Sequence, residues 1–586
     1  MKAIILVIFG AAVLAMGADT KSQPAPDAIF YNGSVYWSGS NGYEMQSSRI
    51  HSGINFSFVG DRPQALAVRD GRIVQVGMND PIRKLAGPKT KQIDLHGAFV
   101  MPGFNDAHNH LWSGGLEMQH VDLTTATSLE DMKARIAAKQ KQTPAGGWMQ
   151  GRGWDHTKWQ NQTLPTRQDL DAVTGGHPAF FVRVDGHIGV ANSAALKFAG
   201  IDRNTPDPQG GKIDRNPDGE PTGILRETAK EALQAKIPQP TIEQRRKAVE
   251  DALAEAARFG LTSIQEPPVN PQDPSEWKFF LIYEELENQG KLTARITEWL
   301  PFNAPVNVLT EHRAHHPTND PMLHTGALKG YLDGSLGSRT AALLAPYADD
   351  PKNTGIPYYK QDQLNQMAIE RLRAGFGLTF HAIGDRAFEM ALNAFEAAAN
   401  DMKQRHTPGE KLPDFHSFRV EHAQVTNPDL LKRAAQIELI MSMQPCHLLT
   451  DMNWAEQRLG PERAKNSYAW KSALENKLPL AFGTDYPVEP LTPFRGIYAA
   501  ITRKNEAGTK EYYPQEKLTI DEAIAAYTSG AAFADFSDHD KGTLAPGMLA
   551  DFVVLDRDIT KVAPEEILKT KVLRTVLGGK TVYEAK

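Results

Sequence analysis

The central part of the chain alternates short apolar runs with segments whose apolar residues recur at helical spacing. Strands that alternate with amphipathic helices are typical of a parallel sheet or a (β/α)8 TIM barrel. We therefore expect an α/β fold with a barrel at residues 98–540 and helices such as Ile242–Phe259, Asp362–Ala374 and Ala387–Asn400. The eight predicted strands lie near Ala98–Asn105, Leu261–Gln265, Thr293–Trp299, Ala327–Leu332, Leu378–Phe380, Phe418–Glu421, Glu438–Ser442 and Leu480–Gly483.

A different pattern occupies the regions on both sides of the predicted barrel. Residues 25–97 and 541–586 contain short runs that alternate apolar and polar positions around Asn-Gly, Asp-Gly, Pro-Gly and Gly-Gly turns. This period of two, interrupted by such turns, predicts strands and hairpins. We expect the two regions to form one small β-sandwich domain.

A long insertion, residues 111–240, separates the first two predicted barrel strands. It is rich in Trp, Gly and Pro and has strand-like pieces at Trp148–Gly151 and Ala179–Val184. An insertion after a barrel strand emerges at the C-terminal face, where barrel active sites lie. The insertion is therefore expected to border the active site.

The first residues have the layout of a secretory signal peptide. Met1 and Lys2 precede an apolar run from Ala3 to Ala15, which is followed by small residues. The run is short for a membrane span, which needs ~20 residues, although an uncleaved anchor is the alternative. No cysteine follows the run, so a lipoprotein is excluded. We expect residues 1–18 to be removed from a periplasmic or secreted protein.

Composition and charge narrow the possible classes of protein. The chain has 586 residues, is 41% hydrophobic and 23% charged, and carries a formal net charge of −6. These values are typical of a soluble globular protein, and no basic block with interleaved aromatics supports nucleic-acid binding. Cys446 is the only cysteine, so no internal disulfide can form, and a buried structural thiol is the expected role.

Two histidines one residue apart follow the first predicted strand, in the sequence MPGFNDAHNH. Side chains at i and i+2 of an extended strand point to the same side. His108 and His110 are therefore expected to project together, and imidazole is a good ligand for zinc and similar divalent metals. The alternative is a strand end with two hydrogen-bonded structural histidines.

Further residues able to bind metal lie at or just after other predicted strands, namely Lys329, His381, His422 and Asp485. Together with His108 and His110, they make six such groups at the strand ends of one barrel, which favours a metal site over scattered polar residues. Each residue also has a simpler explanation. The two histidines could be buried and hydrogen-bonded, Lys329 could pair with Asp333 or with another acid across the barrel, and Asp485 could cap the turn that follows it.

The order HxH, Lys, His, His and Asp on strands one, four, five, six and eight resembles the amidohydrolase superfamily. The stretches GRGWDHTKW, VRVDGHIGVANSAAL, GEPTGILRE, LDGSLGSRTAAL, HAIGDRA and ADFVVLDRD are similar to its amidohydrolase-3 branch. That branch includes N-substituted formamide deformylases. The resemblance covers nearly the whole chain after the first apolar segment.

The resemblance implies a centre of two divalent metal ions, expected to be zinc. His108 and His110 would bind one ion with Asp485, His381 and His422 would bind the second, and an N-carboxylated Lys329 would bridge them. A lysine ammonium, with a pKa near ~10.4, is a poor ligand, whereas a carbamate is an anion with two oxygens. A bridging water would become hydroxide readily, because bound metal lowers its pKa from ~15.7 to about 7. Asp485 would carry the proton to the departing amine.

Other candidates surround this set. Three acids could hydrogen-bond to metal ligands and orient them, or could instead cap turns, namely Asp106, Asp333 and Asp385. The resemblance implies that Trp154, Arg183, Asp185 and His187 of the insertion reach over the site, although Arg183 and Asp185 could equally form a structural ion pair. Arg339 is a candidate contact for a substrate anion or carbonyl, and His447 is expected to line the pocket.

The expected function is an exported, metal-dependent hydrolase of non-peptide C–N bonds of the amide or N-formyl type. One alternative is hydrolysis of esters, lactones or carbamates by the same hydroxide. An alternative of another class is a regulatory or binding protein on a hydrolase scaffold, as some relatives were named as regulators of exoenzyme production. The complete ligand set favours an enzyme with a small-molecule substrate, without nucleic-acid partners and without membrane attachment after signal cleavage. The sequence leaves the substrate, the metal and the oligomeric state open.

Overall fold

The computed structural model describes residues 24–36, 62–184, 186–268, 279–316, 319–405 and 418–586. The predicted signal peptide lies outside these ranges, so its removal and export stay predictions. Within the described ranges, no helix has both the length and the apolar character needed to cross a membrane.

The strands of the described residues are numbered in chain order. They are β1 (Ala28–Tyr31), β2 (Ser34–Val35), β3 (Ala65–Arg69), β4 (Arg72–Gly77), β5 (Lys91–Asp94), β6 (Phe99–Pro102), β7 (Phe104–Asp106), β8 (Val121–Asp122), β9 (Met149–Trp154), β10 (Ala179–Arg183), β11 (Ile188–Ala191), β12 (Gly211–Arg215), β13 (Pro221–Glu227), β14 (Leu261–Glu266), β15 (Arg295–Pro301), β16 (Leu323–Tyr331), β17 (Leu378–Ala382), β18 (Phe418–His422), β19 (Ile440–Met443), β20 (Leu480–Phe482), β21 (Phe552–Leu555), β22 (Val572–Leu577) and β23 (Lys580–Glu584).

The α-helices are numbered in the same way. They are α1 (Asn79–Arg83), α2 (Leu111–Met118), α3 (Leu129–Gln140), α4 (Arg167–Asp171), α5 (Ser193–Ala199), α6 (Thr228–Gln234), α7 (Ile242–Arg258), α8 (Phe280–Asn288), α9 (Val306–His315), α10 (Gln361–Arg373), α11 (Asp385–Arg405), α12 (Pro428–Gln436), α13 (Pro445–Asp451), α14 (Ala455–Leu459), α15 (Pro461–Ala464), α16 (Trp470–Glu475), α17 (Pro493–Thr502), α18 (Ile520–Ala526), α19 (Ser529–Ala534) and α20 (Pro564–Ile567).

The central sheet is parallel, and its strand order is β7, β14, β15, β16, β17, β18, β19 and β20. Its two edges meet, because the Ala107 N–H donates to the Phe482 carbonyl at 3.1 Å and the Asp485 N–H to the His108 carbonyl at 2.7 Å. The sheet is thus a nearly closed barrel with helices between successive strands, as predicted. This arrangement places the carboxyl ends of all its strands at one face.

The prediction of Ala98–Asn105 as one barrel strand is wrong. Strand β6 pairs with β2 and β21, while only β7 pairs with β14 in the barrel. The chain passes from one sheet to the other at Gly103, where a Cβ would lie 2.2 Å from Thr262 Oγ1. Both strands are fully buried, so the apolar run continues through the junction and conceals it.

Two further sheets are formed by the ends of the chain. The sheet β4-β3-β1-β5 contains N-terminal strands, and the sheet β2-β6-β21-β22-β23 combines N-terminal and C-terminal strands. Phe30 of the first and Phe552 of the second meet edge to face, with ring centroids 4.8 Å apart. Both side chains belong to one buried apolar core together with Val68 and Val554. The two sheets therefore pack against each other through residues from both termini.

A buried ion pair joins the barrel to these terminal sheets. Arg295 on β15 donates from Nε to Asp551 Oδ2 at 2.6 Å and from Nη2 to Oδ1 at 2.9 Å. Asp551 immediately precedes β21, and its Oδ1 also accepts the Gly578 N–H at 2.7 Å. Because both side chains are buried, removing one of them would leave the charge of the other uncompensated in the interior.

The segment between β7 and β14 carries a six-stranded sheet of its own, with the order β12-β13-β11-β10-β9-β8. The helix that begins this segment, α2, packs instead on the barrel helix α7. The two helices cross closely, since a Cβ at Gly115 would lie 2.1 Å from the Ala248 carbonyl oxygen. The inserted sheet therefore starts after α2.

Candidate metal centre

The carboxylate of Asp485 lies among four imidazoles at the carboxyl ends of the barrel strands. Its Oδ1 is 3.3 Å from His110 Nε2 and 3.5 Å from His108 Nε2. Its Oδ2 is 3.2 Å from His447 Nε2 and 3.9 Å from His422 Nδ1. Imidazole nitrogens and carboxylate oxygens are the usual ligands of zinc. The structure thus brings together four predicted residues and His447, which was predicted only as a pocket residue.

The two histidines of the HxH motif lie in the loop directly after β7, and both imidazoles reach the same carboxylate oxygen of Asp485. The carboxylate of Asp106 accepts the His108 N–H at 3.2 Å, the Thr484 N–H at 2.9 Å and the Thr484 hydroxyl at 2.5 Å. Asp106 therefore joins the loops after the first and eighth barrel strands. It positions the backbone of His108 and not its imidazole.

Three residues of the centre have left-handed backbone conformations, with φ of 56° at Asp485, 72° at His422 and 42° at Ala423. Such conformations are unfavourable for residues other than glycine and cluster at functional sites. At the end of β18 the turn interrupts the alternation of side chains along the strand. Neighbouring residues Glu421 and His422 consequently both lie beside His108.

Glu421 was missed by the sequence analysis. Its Oε2 is 2.6 Å from His108 Nδ1, and its Oε1 is 2.6 Å from Arg419 Nε. Burial would raise the pKa of this carboxyl, but Arg419 and His108 hold it well below its usual range. The carboxylate thus accepts the Nδ1–H of His108 and directs Nε2 towards Asp485. The available signal was that Glu421 is adjacent to the predicted ligand His422. Side chains alternate along a strand, however, so these two neighbours were expected to point to opposite faces.

Lys329 is fully buried on β16, and its Nζ has no hydrogen-bond partner among the described residues. The amine lies 5.9 Å from the ring centroid of Trp299 and 5.0 Å from that of Tyr331. Burial lowers the pKa of Lys329 to about 8, although Glu421 and Asp485 attract its charged form. The alternative of a Lys329–Asp333 ion pair is wrong, because no such contact forms between these two described residues.

Asp333 lies behind His381. Its carboxylate accepts three backbone N–H groups, and its Oδ1 is 3.4 Å from His381 Nε2. The His381 ring centroid is 4.5 Å from that of His422, which places His381 at the edge of the histidine group. Asp385, predicted for the same role, accepts the Leu344 N–H at 2.8 Å and begins α11. Of the two predicted acids Asp333 and Asp385, Asp333 is thus the one whose carboxylate lies beside an imidazole of the set.

Burial keeps most of these imidazoles neutral. It lowers the pKa of His108 to about 4 and that of His381 to about 3, and it holds that of His422 well below the ordinary value. His422 Nδ1 is 2.8 Å from Gln444 Oε1, which fixes its ring. Burial also opposes the charged form of His447, but the adjacent Asp485 carboxylate raises its pKa to about 8. Neutral imidazole is the form that binds metal.

Two predicted substrate contacts have structural partners within the insertion. Trp154 is fully buried in the apolar core of the inserted sheet, and its indole N–H donates to the Phe181 carbonyl at 3.0 Å. Arg183 donates to Asp155 at 2.9 Å. Asp185 lies outside the described residues. Their predicted role at the substrate stays a prediction.

Two further predicted contacts also bind neighbouring acids. His187 Nδ1 lies 3.0 Å from Glu227 Oε2 at the edge of a surface cleft that Lys212 and Arg226 also line. Arg339 forms a two-bond ion pair with Asp349, with distances of 3.1 and 2.9 Å. Both pairs are exposed or partly exposed to solvent, where such ion pairs contribute little to stability. The predicted roles of His187 and Arg339 at the substrate stay predictions.

Comparisons with known proteins show the family to which the chain is related. The model of the amidohydrolase family matches residues 91–583. The chain is 33% identical to protein YtcJ of Bacillus subtilis, over 91% of this chain and 99% of that protein. It is 27% identical to the N-substituted formamide deformylase of Arthrobacter pascens, over 89% of this chain and 95% of that enzyme. The crystal structure of an uncharacterized metal-dependent hydrolase from Pyrococcus furiosus is similar, with a TM-score of 0.69 and 27% identity, covering 91% of this chain and 100% of that one.

Proposed function

This chain belongs to the amidohydrolase family, and on that premise we propose that it hydrolyses C–N bonds of small amides or N-formyl compounds in a metal-dependent reaction. The observation that carries the proposal is the buried group of His108, His110 and Asp485, whose ligand atoms all lie within 4.8 Å of one another. The similarity to a formamide deformylase supports a C–N bond as the one cleaved.

The residues proposed to hold two divalent ions share one end of the barrel and are His108, His110, Lys329, His381, His422 and Asp485. The chemistry of Lys329 fits this assignment. An unpartnered amine in the interior is unfavourable, whereas an N-carboxylated lysine would offer two anionic oxygens to cations. The ions, zinc in our proposal, would polarise the substrate carbonyl and make water more acidic.

Asp485 is proposed as the residue that moves the proton. Burial would raise the pKa of its carboxyl, but the surrounding histidines, His108 first among them, hold it well below its usual range. The carboxyl is therefore ionised and has a free acceptor site for a proton of the attacking water, which it would then deliver to the departing amine. His110 and His447 contact its opposite oxygens and fix its orientation.

Replacement of this carboxylate by its amide tests the proposal. We expect Asp485→Asn to lower kcat on an N-formyl or N-acyl amine by at least about 10²-fold, since positioned proton transfer contributes roughly 10²–10⁴-fold. Asp385→Asn, which changes a buried carboxylate outside the group, is the matched control and should retain the parent rate.

Turnover of a panel of matched amides, esters, lactones and carbamates shows which kind of bond the protein cleaves. Faster turnover of the amides supports our assignment, and faster turnover of the others assigns the chain to the alternative substrates. A zinc-loaded, folded protein that hydrolyses no member of the panel would favour the regulatory or binding role. A parent rate in Asp485→Asn would remove this residue from proton transfer.

We also propose that residues 1–18 are cleaved during export and that the two terminal sheets form a β-sandwich domain. The charged and apolar layout of the N-terminus supports the first point, and the apolar core that both sheets share supports the second. N-terminal sequencing of the mature protein tests export, and an intact Met1 in a cytosolic fraction would overturn it.

A further inference from the structure

A second group of metal-binding side chains lies away from the barrel mouth. Glu298 Oε2 is 3.2 Å from His312 Nε2 and 3.0 Å from His316 Nδ1. The ligand atoms of these three residues all lie within 4.8 Å of one another. Glu284 lies beside them, with its Oε2 at 3.9 Å from His316 Nε2.

This group is separated from the candidate catalytic centre by the thickness of one strand. Glu298 and Trp299 are consecutive on β15, so their side chains point to opposite faces of the barrel sheet. The Trp299 ring lies inside, 5.8 Å from that of His108. Glu298 therefore points outward, where it meets His312 and His316 of the α9 region. The two groups cannot share an ion.

His312 lies in the last turn of α9, and His316 is the residue directly after the helix. The His316 N–H donates to the His312 carbonyl at 3.1 Å, so the helical hydrogen-bond pattern extends to it. His312 and His316 are four residues apart, a spacing that places side chains above one another on a helix. Their rings are nearly parallel, with an interplanar angle of 13° and centroids 4.8 Å apart. One imidazole from the last turn of α9, one from the residue after it and a carboxylate from β15 form a His₂Glu ligand set of the kind that binds zinc.

Glu298 supplies an independent indication of a ligand. Its side chain is fully buried, and its Oε1 has no hydrogen-bond partner among the described residues. A buried carboxylate oxygen without a partner is costly. A cation held between Glu298 and the two imidazoles would compensate this charge.

We propose that Glu298, His312 and His316 bind a structural zinc ion, with Glu284 as the nearest candidate for a fourth ligand. Imidazole with carboxylate favours zinc and its neighbours over magnesium and calcium, which prefer oxygen ligands alone. The ion would connect β15 to helices α8 and α9 on the outside of the barrel. This site is independent of the metals proposed for catalysis.

Zinc stoichiometry tests the proposal. The protein is stripped of metal, and its zinc sites are counted by titration with Zn²⁺ against a chromophoric chelator, followed by elemental analysis. We expect His312→Gln and Glu298→Gln each to bind one zinc fewer than the parent, or to bind it at least about 100-fold more weakly, since even outer-shell changes cost 10–100-fold. His315→Gln, which changes the adjacent exposed histidine, should bind the same number as the parent.

The site can also be seen directly. Crystals of the parent grown with Zn²⁺ should show an anomalous peak between Glu298, His312 and His316. A folded variant that binds as many zinc ions as the parent, with the parent's affinity, would overturn the structural site, and so would the absence of that peak. Because the catalytic ligands are intact in both variants, their turnover reports separately on the proposed function.

Discussion

Lys329→Met separates a bridging role for this residue from a purely structural one. The change keeps an unbranched side chain of similar length but removes the amine, which is fully buried and lacks a hydrogen-bond partner within the described residues. Leaving a buried donor unsatisfied costs ~1–3 kcal/mol. In the metal-stripped protein, the substitution should therefore leave the free energy of unfolding unchanged or raise it by up to that amount.

In the metal-loaded protein, by contrast, the substitution should be harmful. If an N-carboxylated Lys329 bridges two ions, Lys329→Met removes a ligand from both, and the variant should lose at least one ion and most of its turnover. Lys329→Ala should lose both in the same way, and acetate or formate should partly restore them by occupying the vacated space. Urea denaturation of the stripped protein, elemental analysis and turnover measure the three effects.

Lys541→Met provides the matched control. Lys541 is also buried, but its Nζ lies 2.6 Å from Asp535 Oδ2 and 2.7 Å from Ser263 Oγ. Removing one partner of a buried ion pair lowers the free energy of unfolding by roughly 3–5 kcal/mol. We expect a loss near the lower end, because His324, at 3.5 Å from Asp535, remains as a partner of that carboxylate. Full metal content and parent turnover in folded Lys329→Met would refute the bridging role.

Two further substitutions test other parts of the structure. Glu421→Gln should weaken zinc binding at the barrel mouth about 10–100-fold, because it removes the carboxylate that orients His108; chelator competition measures this, and an unchanged affinity would show that Glu421 does not act on the ligand. Asp551→Ala should lower the free energy of unfolding by roughly 3–5 kcal/mol, since it leaves Arg295 buried and unpaired. Asp540→Ala, which breaks the more exposed pair with Arg72, should cost less than about 1 kcal/mol, and equal losses in the two variants would contradict the role given to burial.

The barrel could be predicted because each of its strands is buried and each helix that follows has one apolar face. The pattern placed β14 to β20 within a few residues of their positions, and the order of polar residues at their ends indicated one site. Cys446 is buried, as expected for a structural thiol, and burial raises its pKa. Periodicity did not reveal the junction at Gly103, since it reports burial and not the sheet in which a strand lies.

The residues that the sequence analysis missed share a physical reason. Glu421 reaches His108 only because the chain turns into a left-handed conformation at His422, and no local pattern in FRVEH indicates that turn. The sequence analysis did not identify the group of Glu298, His312 and His316, because Glu298 lies within an apolar strand, whereas the two histidines lie at the end of the following helix and directly after it. Contacts of this kind depend on how elements pack, which the spacing along the chain does not encode.

The proposed dependence of hydrolysis on bound metal can be measured on the purified protein. Turnover of an N-formyl amine is followed in the protein as purified, after removal of metal by a chelator, and after addition of Zn²⁺ to the stripped protein, with folding checked at each stage. We expect turnover to disappear when the metal is removed and to return when zinc is added. A folded, metal-free protein that retains the full rate would contradict it.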